Sequence, residues 1–308
     1  MKISVIIPTY NRAQILTRCL KAFEQQTMPL EDFEVIVVND GSKDNTHKVL
    51  QRFKRKKLNL TTLKQKNAGQ GAARNRGLRK AKGKVILLLG DDMFPSPDFL
   101  KEHWKTHEQN PEPQVAVLGL IKWHPELDIN PFMQWMTNGS SILGKFGGHQ
   151  FAYEKLERGE NPDFNFFYTS NLSLKRSFLG NNPFDLDFSR YGWEDIELGY
   201  RLEKEKGMIM KYNAKAVGHH YHPMDESGLG KRMEMIGRSA HIIDKKYPEL
   251  NKVPGLSKKI ILTLLSNPIS LFIIKITNWL TRGKLQAFYY YALSKKHFLK
   301  GVKLGYNI

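Results

Sequence analysis

One stretch, residues 85–100, constrains the fold of this chain more than any other. It begins with five apolar residues, Val85–Leu89, and passes through Gly90 to two adjacent aspartates, Asp91 and Asp92. A short apolar run bounded by turn residues is typical of a strand buried on both faces of a parallel sheet. The aspartates are therefore expected at the carboxyl end of a central strand, which is where open α/β sheets bind ligands.

The two aspartates have two possible interpretations. Neighbouring carboxylates at the end of a buried strand repel each other unless a cation is present, and divalent cations that hold a diphosphate use one or two carboxylates. Alternatively, the pair belongs to a solvated turn before a helix, because Asp98 could cap a helix beginning near Phe99. The two aspartates alone do not distinguish a cation site from a solvated turn. The residues at the other strand ends are needed to choose between these interpretations.

The first hundred residues alternate between apolar runs and helical patterns. Strands are predicted at 4–7, 34–38, 59–63 and 85–89, and helices from residue 12, at 46–53, at 72–82 and from residue 99. Further strands are predicted at 115–120 and 169–174, the latter with a possible antiparallel partner, with an irregular insert at 123–167 and a helix at 194–206. This order predicts an α/β fold with a doubly wound, mostly parallel sheet flanked by helices.

Residues 226–308 differ in composition from residues 1–225. They contain fifteen Lys or Arg against four Asp or Glu, a difference of eleven out of the net charge of +18. Two apolar segments there, Ile260–Leu265 and Ile269–Ile276, lie among lysines. We therefore expect a catalytic domain at 1–225 and a basic helical C-terminal extension at 226–308. The extension could bind anionic lipid, mediate a homo-oligomer, or be a solvated lysine-rich face.

The overall charge restricts the class of partner. A net charge of +18 favours nucleic acid, anionic lipid or phosphorylated substrates. No nucleic-acid motif is present, so nucleic acid is not expected as a partner. The N-terminus is too short and strand-like for a signal peptide, and no apolar run reaches the ~18 residues of a spanning helix. The expected location is cytoplasmic, with peripheral binding to the inner face of the membrane possible.

Polar residues at the other strand ends indicate a nucleotide site. The first strand leads to Pro8, Tyr10 and Asn11, and the second leads to Asp40. An aromatic ring and a carboxylate suit a nucleobase, since the ring stacks while the carboxylate accepts an imide N–H. Arg74, near the start of its helix, is placed to contact a phosphate or a base carbonyl. Neither the dinucleotide fingerprint nor a Walker loop is present.

Five motifs in this order resemble the inverting family 2 glycosyltransferases of the GT-A fold. They are SVIIPTYNR, VVNDGSKDNT, NAGQGAARNRGL, LLLGDDMFPSPDFL and GWEDIELGYRL, and the resemblance covers residues 2–224. It implies a glycosyltransferase of the hexosyltransferase class that uses a nucleotide-diphosphate sugar with Mn²⁺ or Mg²⁺. Asp40 favours a pyrimidine such as uracil, and hence UDP, although the same turn can face guanine or thymine. Together with the basic C-terminal extension, the resemblance leads us to expect a glycan or lipid-linked acceptor and a role in cell-envelope polysaccharide or glycolipid synthesis.

The resemblance assigns roles in the donor site. Tyr10 and Asp40 match the base-binding residues, and Arg74 matches the nucleotide-contacting arginine. Asp91 and Asp92 match the second and third members of an acidic triplet that contacts the ribose or diphosphate and the metal. Gly90 stands where many relatives carry an aspartate, which puts ribose contact from that position in doubt.

The resemblance also assigns Glu194 and Asp195, which follow Trp193 at the head of a helix. Asp195 would be the general base for the acceptor hydroxyl, with Glu194 binding the acceptor or orienting the loop. A helix N-terminus favours an ionised carboxylate, although the pair could be a plain acidic cap. Trp193 would stack on the acceptor sugar, with a core position the alternative.

Three histidines, His219, His220 and His222, follow one another in a strand-like run. In relatives a histidine here often completes the metal shell, and imidazole suits Mn²⁺. His222 is the first choice as metal ligand and His220 the second; otherwise they contact diphosphate or solvent. Two other functions stay open, a catalytically inactive nucleotide-sugar-binding module and, less favoured, a basic nucleic-acid-binding protein.

Overall fold

A computed structural model describes residues 1–55, 57–139, 153, 156, 161–188 and 192–305. The chain forms two compact units. Unit 1 comprises Met1–Leu127, Lys155–Ser189 and Glu194–His222, and unit 2 comprises Asp128–Glu154, Arg190–Trp193 and Pro223–Ile308. Residues 128–154 thus belong to unit 2, together with the basic C-terminal region. A functional division at residue 225 stays a prediction.

Unit 1 is built on a mixed sheet. Its strands are β1 (Ile3–Thr9), β2 (Phe33–Asn39), β3 (Leu60–Lys64), β4 (Val85–Leu89), β5 (Met93–Pro95), β6 (Val115–Trp123), β7 (Asn171–Lys175) and β8 (Ile209–His220). The spatial order is β3-β2-β1-β4-β7-β6-β8-β5. The neighbours among β3, β2, β1 and β4 pair in parallel, as do β6 and β8, whereas β7 and β5 are antiparallel to their neighbours.

The apolar run at Val85–Leu89 forms the strand β4, between β1 and β7. All five of its residues are buried, as are all seven of β1 and of β2. The helices of unit 1 are α1 (Ala13–Phe23), α2 (Thr46–Lys54), α3 (Gln70–Leu78), α4 (Phe99–Gln109), α6 (Arg176–Leu179) and α7 (Glu194–Lys206). The prediction of a mostly parallel sheet flanked by helices is therefore confirmed.

Two strands near the site differ from the sequence prediction. Met93–Pro95 forms β5, a strand that the sequence analysis does not predict, and it pairs antiparallel with the end of β8. The strand that contains His219 and His220 begins at Ile209, well before the strand-like histidine run that the sequence predicts. Because proline is tolerated on an edge strand, Pro95 is compatible with this outermost position. Asp98 precedes α4 as expected, but its carboxylate accepts a hydrogen bond from the Thr27 hydroxyl (2.6 Å) and caps no backbone N–H.

A buried polar network joins α4 to the middle of the sheet. His103 contacts Ser173 Oγ through Nδ1 and Asn171 Oδ1 through Nε2, each at 2.8 Å, and His107 Nε2 lies 2.9 Å from the same hydroxyl. The Asn171 amide donates to the carbonyls of Leu120 and Ala216, where the pairing of β6 with β8 shifts register. The network therefore satisfies backbone groups that the irregular ladder leaves free.

Unit 2 is helical in its described residues. Its helices are α5 (Pro131–Asn138), α8 (Glu226–Lys246), α9 (Leu256–Ser266), α10 (Pro268–Leu280) and α11 (Gln286–Leu304). One apolar cluster joins α5 and α8 to Tyr290 of α11, and a second joins α10 to Ala292. Part of the predicted irregular insert at 123–167 lies outside the described residues, and its described part contains α5 and a 3₁₀ turn at Phe164–Phe166.

The outward faces of α9 and α10 are apolar. The exposed large hydrophobic residues there are Leu256, Ile260, Ile261, Leu264, Ile269, Phe272, Ile273, Ile276, Trp279 and Leu280. In the described part of the chain, no single helix is long and apolar enough to cross a membrane. The helices α9 and α10 meet both criteria only when taken together, and the pair is bent by 52°.

Candidate active site

The site lies in unit 1, where β1, β2 and β4 end. These strands run in the same direction, so the residues after them meet at one edge of the sheet. The β5–β8 pairing places Met93 opposite His220, which brings the histidine run beside Asp92. Sequence-distant residues from four strand ends therefore converge.

Asp91 is a buried carboxylate, 6% exposed, with two partners from the end of β1. The Thr9 hydroxyl donates to its Oδ2 (2.6 Å), and Arg12 NH1 donates to its Oδ1 (3.2 Å). Burial and the neighbouring charge of Asp92 raise the pKa of Asp91 to about 6, although Arg12 and Thr9 oppose the shift. Asp91 is fixed in position rather than open to solvent.

Three side chains with nitrogen donors, one arginine and two histidines, lie close to the Asp92 carboxylate. Arg12 NH1 lies 2.6 Å from its Oδ2, and His220 Nε2 and His222 Nδ1 lie 3.5 Å and 3.4 Å from the same oxygen. Burial favours a raised pKa, but hydrogen bonds from the two histidines and the charge of Arg12 outweigh it and hold the pKa of Asp92 well below its usual range. Asp92 therefore loses its proton at a lower pH than Asp91.

The donor set at Asp92 suits a divalent cation. One carboxylate oxygen and two imidazole nitrogens, from Asp92, His220 and His222, all lie within 4.8 Å of one another. The His220 and His222 rings are parallel, with centroids 5.6 Å apart and planes 4° apart. Imidazole with carboxylate suits Mn²⁺ better than Mg²⁺, which prefers oxygen ligands and retains water. The residues present fit Mn²⁺.

A steric restriction beside this cluster explains why residue 90 is a glycine. A Cβ at Gly90 would lie 2.8 Å from Asp92 Oδ1, closer than such atoms approach in proteins. A larger residue at this position would displace the Asp92 carboxylate. Glycine at position 90 therefore leaves room for the Asp92 carboxylate beside the histidines.

Asp40 lies at the end of β2 and organises the loop before α3. Its Oδ1 accepts from Gln65 Nε2 (2.8 Å) and the Ala68 N–H (2.9 Å). Its Oδ2 accepts from Asn67 Nδ2 (3.1 Å) and the Gly69 N–H (2.9 Å). A carboxylate offers about four acceptor sites, and the loop uses four. Contact between Asp40 and a base stays a prediction. It requires the loop to give up, or to share with the base, one of the acceptor positions of the Asp40 carboxylate.

The end of β1 supplies the other predicted donor-site residues. Pro8 lies within β1 and pairs with Val38. Asn11 adopts a left-handed conformation (φ 53°), its N–H donates to Ser42 Oγ (2.9 Å), and its Oδ1 accepts from the Lys43 N–H (2.7 Å). Tyr10 is 44% exposed, so its ring is accessible to a ligand. Asn11 therefore joins the two strand ends, while Tyr10 presents an aromatic surface.

Arg74 on α3 is a buried cation with unused donors. It is 2% exposed, and its Nε and NH1 have no hydrogen-bond partner among the described residues. Its guanidinium lies 5.4 Å from the centre of the Phe184 ring. Burial lowers the pKa of Arg74, and the charges of Glu194, Asp195 and Asp91 oppose that shift. Buried guanidinium donors without acceptors point to an anionic or carbonyl ligand.

Glu194 and Asp195 begin α7, as predicted. Asp195 Oδ1 accepts from the N–H of Ile196 (2.8 Å), and both carboxylates act electrostatically on Arg74. Trp193 lies in unit 2, where its indole N–H donates to the Ile236 carbonyl (2.9 Å) and Lys252 lies 5.0 Å from the ring centre. Its ring is half-buried, and acceptor stacking there stays a prediction.

Comparison with known proteins identifies the family. The model described as Glycosyl transferase family 2 matches residues 4–179. The chain belongs to this family. Chondroitin synthase of Escherichia coli is 30% identical over 80% of this chain, and validoxylamine A glucosyltransferase of Streptomyces hygroscopicus subsp. jinggangensis is 32% identical over 70%. The chain spans only 38% and 54% of these two relatives.

Solved structures show the same GT-A fold. Mannosyltransferase PcManGT from Pyrobaculum calidifontis, in complex with GDP-Man and Mn²⁺, gives a TM-score of 0.63 at 19% identity, covering 98% of this chain and 86% of that one. TarS 1-349 of S. aureus gives 0.56 at 20% identity, covering 98% and 89%. The predicted family and fold class are confirmed.

Arg12 is the site residue of this family 2 chain that the sequence analysis missed. It directly precedes α1, and the sequence analysis includes it in the motif SVIIPTYNR and in a helix without giving it a site role, yet it bridges Asp91 and Asp92. A cation directly after the first strand end was a usable signal, since paired carboxylates at a neighbouring strand end require a positive partner.

Proposed function

We propose that this family 2 chain transfers a sugar, with inversion, from a nucleotide-diphosphate sugar to an acceptor hydroxyl. The observation that carries the proposal is the convergence of Asp92, His220 and His222 at the carboxyl edge of the sheet. In open α/β sheets this edge binds ligands. A divalent cation held by these three residues, Mn²⁺ rather than Mg²⁺, would neutralise charge on the departing diphosphate.

The chain's own residues bind and orient the donor. Arg74 offers its unused guanidinium donors to a phosphate or base carbonyl, and Tyr10 offers its exposed ring to the base. Asp91, held by Thr9 and Arg12, is proposed to contact the ribose or diphosphate. Pro8, Asn11 and Asp40 shape the base pocket at the ends of β1 and β2. UDP is the favoured nucleotide, and the TarS fragment, of like fold, is solved with UDP.

Asp195 is proposed as the general base. Inverting transfer requires the acceptor hydroxyl to lose a proton as it attacks the anomeric carbon, and a carboxylate at a helix N-terminus remains ionised at neutral pH. Asp195 occupies such a position in α7, with Glu194 beside it to bind the acceptor or orient the loop.

The proposed acceptor is a glycan or a lipid-linked saccharide, with Trp193 contributing to its binding. Matched relatives include proteins named chondroitin synthase and hyaluronan synthase. Because the chain covers only part of these relatives, their polymerising activities do not transfer to it directly. A role in cell-envelope polysaccharide or glycolipid synthesis is proposed on this basis.

We further propose a peripheral location on the inner face of the membrane. The outward faces of α9 and α10 expose contiguous apolar side chains, Phe272 at 65% and Trp279 at 77%. Contiguous exposed apolar surface marks an interaction site. Lys258, Lys259 and Lys275 flank or lie on these helices, which favours an anionic lipid surface over a neutral partner.

A panel of nucleotide sugars tests the proposal. Purified protein incubated with UDP- and GDP-sugars and Mn²⁺ should release nucleoside diphosphate from one donor, and the release should stop in EDTA. No release from any donor, with or without oligosaccharide and lipid-linked acceptors, would favour an inactive binding module instead. Binding of a nucleotide sugar without turnover would identify that module directly.

A further inference from the structure

We propose that Arg12 couples metal binding to diphosphate binding, by holding Asp92 until a diphosphate draws the guanidinium away. The inference rests on the proposed metal site at Asp92, His220 and His222. It concerns a residue that the family resemblance does not assign. Arg12 acts here as a positioning residue for the metal ligand.

Arg12 and the proposed metal would use the same atom, Asp92 Oδ2. Arg12 NH1 lies 2.6 Å from Asp92 Oδ2, and both histidine nitrogens face this oxygen at 3.4–3.5 Å. A metal bonded to a carboxylate oxygen lies about 2.1 Å from it. The guanidinium nitrogen and the metal would therefore lie within about 5 Å of each other, a distance at which like charges repel strongly away from bulk water.

The paired aspartates need a cation in either state. Asp91 and Asp92 are adjacent and largely buried, and Arg12 bridges them through one nitrogen, NH1. Without metal, Arg12 supplies the positive charge. With metal, that charge is supplied at Asp92, and Arg12 becomes an excess cation beside it.

A diphosphate gives Arg12 a better partner. Guanidinium binds phosphate oxygens in a bidentate manner, which a single NH1 shared between two carboxylates does not achieve. The Arg12 side chain is 33% exposed, so it has room to turn. A diphosphate near the metal thus removes the repulsion, and each ligand strengthens binding of the other.

The test measures Mn²⁺ binding to the full chain by electron paramagnetic resonance, with and without UDP or GDP. In the wild type, whichever of UDP and GDP binds more tightly should tighten Mn²⁺ binding at least about tenfold, within the usual range for coupled sites. Arg12→Gln should bind Mn²⁺ at least about fivefold more tightly without nucleotide, and the effect of nucleotide should shrink by a similar factor. Arg12→Lys keeps the charge and should resemble the wild type without nucleotide.

Lys21→Gln is the matched control. Lys21 lies exposed on α1, the helix that follows Arg12, so removing its charge should leave both affinities unchanged. If Arg12→Gln binds Mn²⁺ no more tightly than the wild type while Asp92→Asn abolishes binding, the coupling is wrong and the metal site stands. If Asp92→Asn binds Mn²⁺ as the wild type does, or no variant binds it even with nucleotide, both proposals fail.

Discussion

At the scale of single residues, Asp195 carries the proposed chemistry. Asp195→Asn preserves shape and removes basicity, so kcat should fall by ~10²–10⁴ while donor affinity stays near normal. Steady-state kinetics together with calorimetric donor titration separate the two quantities. A collapse of donor affinity with little change in kcat would place Asp195 in the donor site instead.

Replacing Arg74 should weaken nucleotide binding without lowering the stability of the fold. Arg74→Met removes a buried guanidinium whose Nε and NH1 are unpaired, so nucleotide affinity should fall at least about tenfold while the melting temperature stays level or rises. Arg79→Met, at an exposed position just after α3, is the control and should change neither. A clear drop in melting temperature for Arg74→Met would show that Arg74 supports the fold.

The sequence predicted the residues of the site better than their contacts. Asp91, Asp92, His220 and His222 were named, and the structure brings them together. The hydrogen bonds of Asp40 to the Gln65–Gly69 loop were not foreseen, because they join residues more than twenty positions apart. Spacing along a chain shows what a residue can do; a carboxylate's actual partners depend on packing between elements.

At the scale of secondary-structure elements, regular periodicity was sufficient for β1, β2, β4 and α7. It failed at β5, three residues that form a strand only because β8 lies beside them. It also missed the role of Asn171, whose amide fills the irregular step between β6 and β8. Short edge strands and buried polar bridges are specified by distant neighbours, so local pattern carries little information about them.

The His103–His107 network on α4 makes stability depend on pH. Burial lowers the pKa of His103 to about 4 and that of His107 to about 3, whereas the unfolded chain takes up these protons near pH 6.5. The unfolded state therefore binds more protons from about pH 6.5 down to about pH 4 at His103 and about pH 3 at His107, and the free energy of unfolding falls as pH drops through that window. The loss should reach at most roughly 3 kcal/mol for His103 and roughly 5 kcal/mol for His107.

Urea denaturation at pH 7.5 and pH 5 checks this dependence. The wild type should lose stability at pH 5, and His103→Gln, although less stable at pH 7.5, should lose less between the two pH values. His47→Gln is the control, because His47 is exposed on α2. An equal pH dependence in the wild type and His103→Gln would contradict the account of the network.

At the scale of the whole molecule, the basic helical region should bind membranes. The Phe272→Ser/Trp279→Ser double variant removes two exposed apolar side chains, so binding to anionic vesicles should fall at least about tenfold. Salt should weaken the binding of the wild type without abolishing it, because apolar insertion is not screened. Vesicle co-sedimentation of wild type and variant at low and high salt measures both effects.

The control for membrane binding is Leu186→Ser, which removes an exposed apolar side chain from unit 1 and should have no effect. Sedimentation velocity in the absence of lipid tests the alternative of self-association. A stable dimer that ignores anionic vesicles and dissociates in the double variant would identify α9 and α10 as an oligomer contact.

The central claim is that a divalent metal and a nucleotide diphosphate meet at the carboxyl edge of the sheet. A crystal grown with Mn²⁺ and the preferred nucleoside diphosphate, measured at the manganese absorption edge, tests it most directly. An anomalous peak is expected about 2.1 Å from Asp92 Oδ2, with His222 or His220 as a further ligand and the diphosphate between this ion and Arg74. A nucleotide bound there with no metal at Asp92, or an ion bound elsewhere, would contradict it.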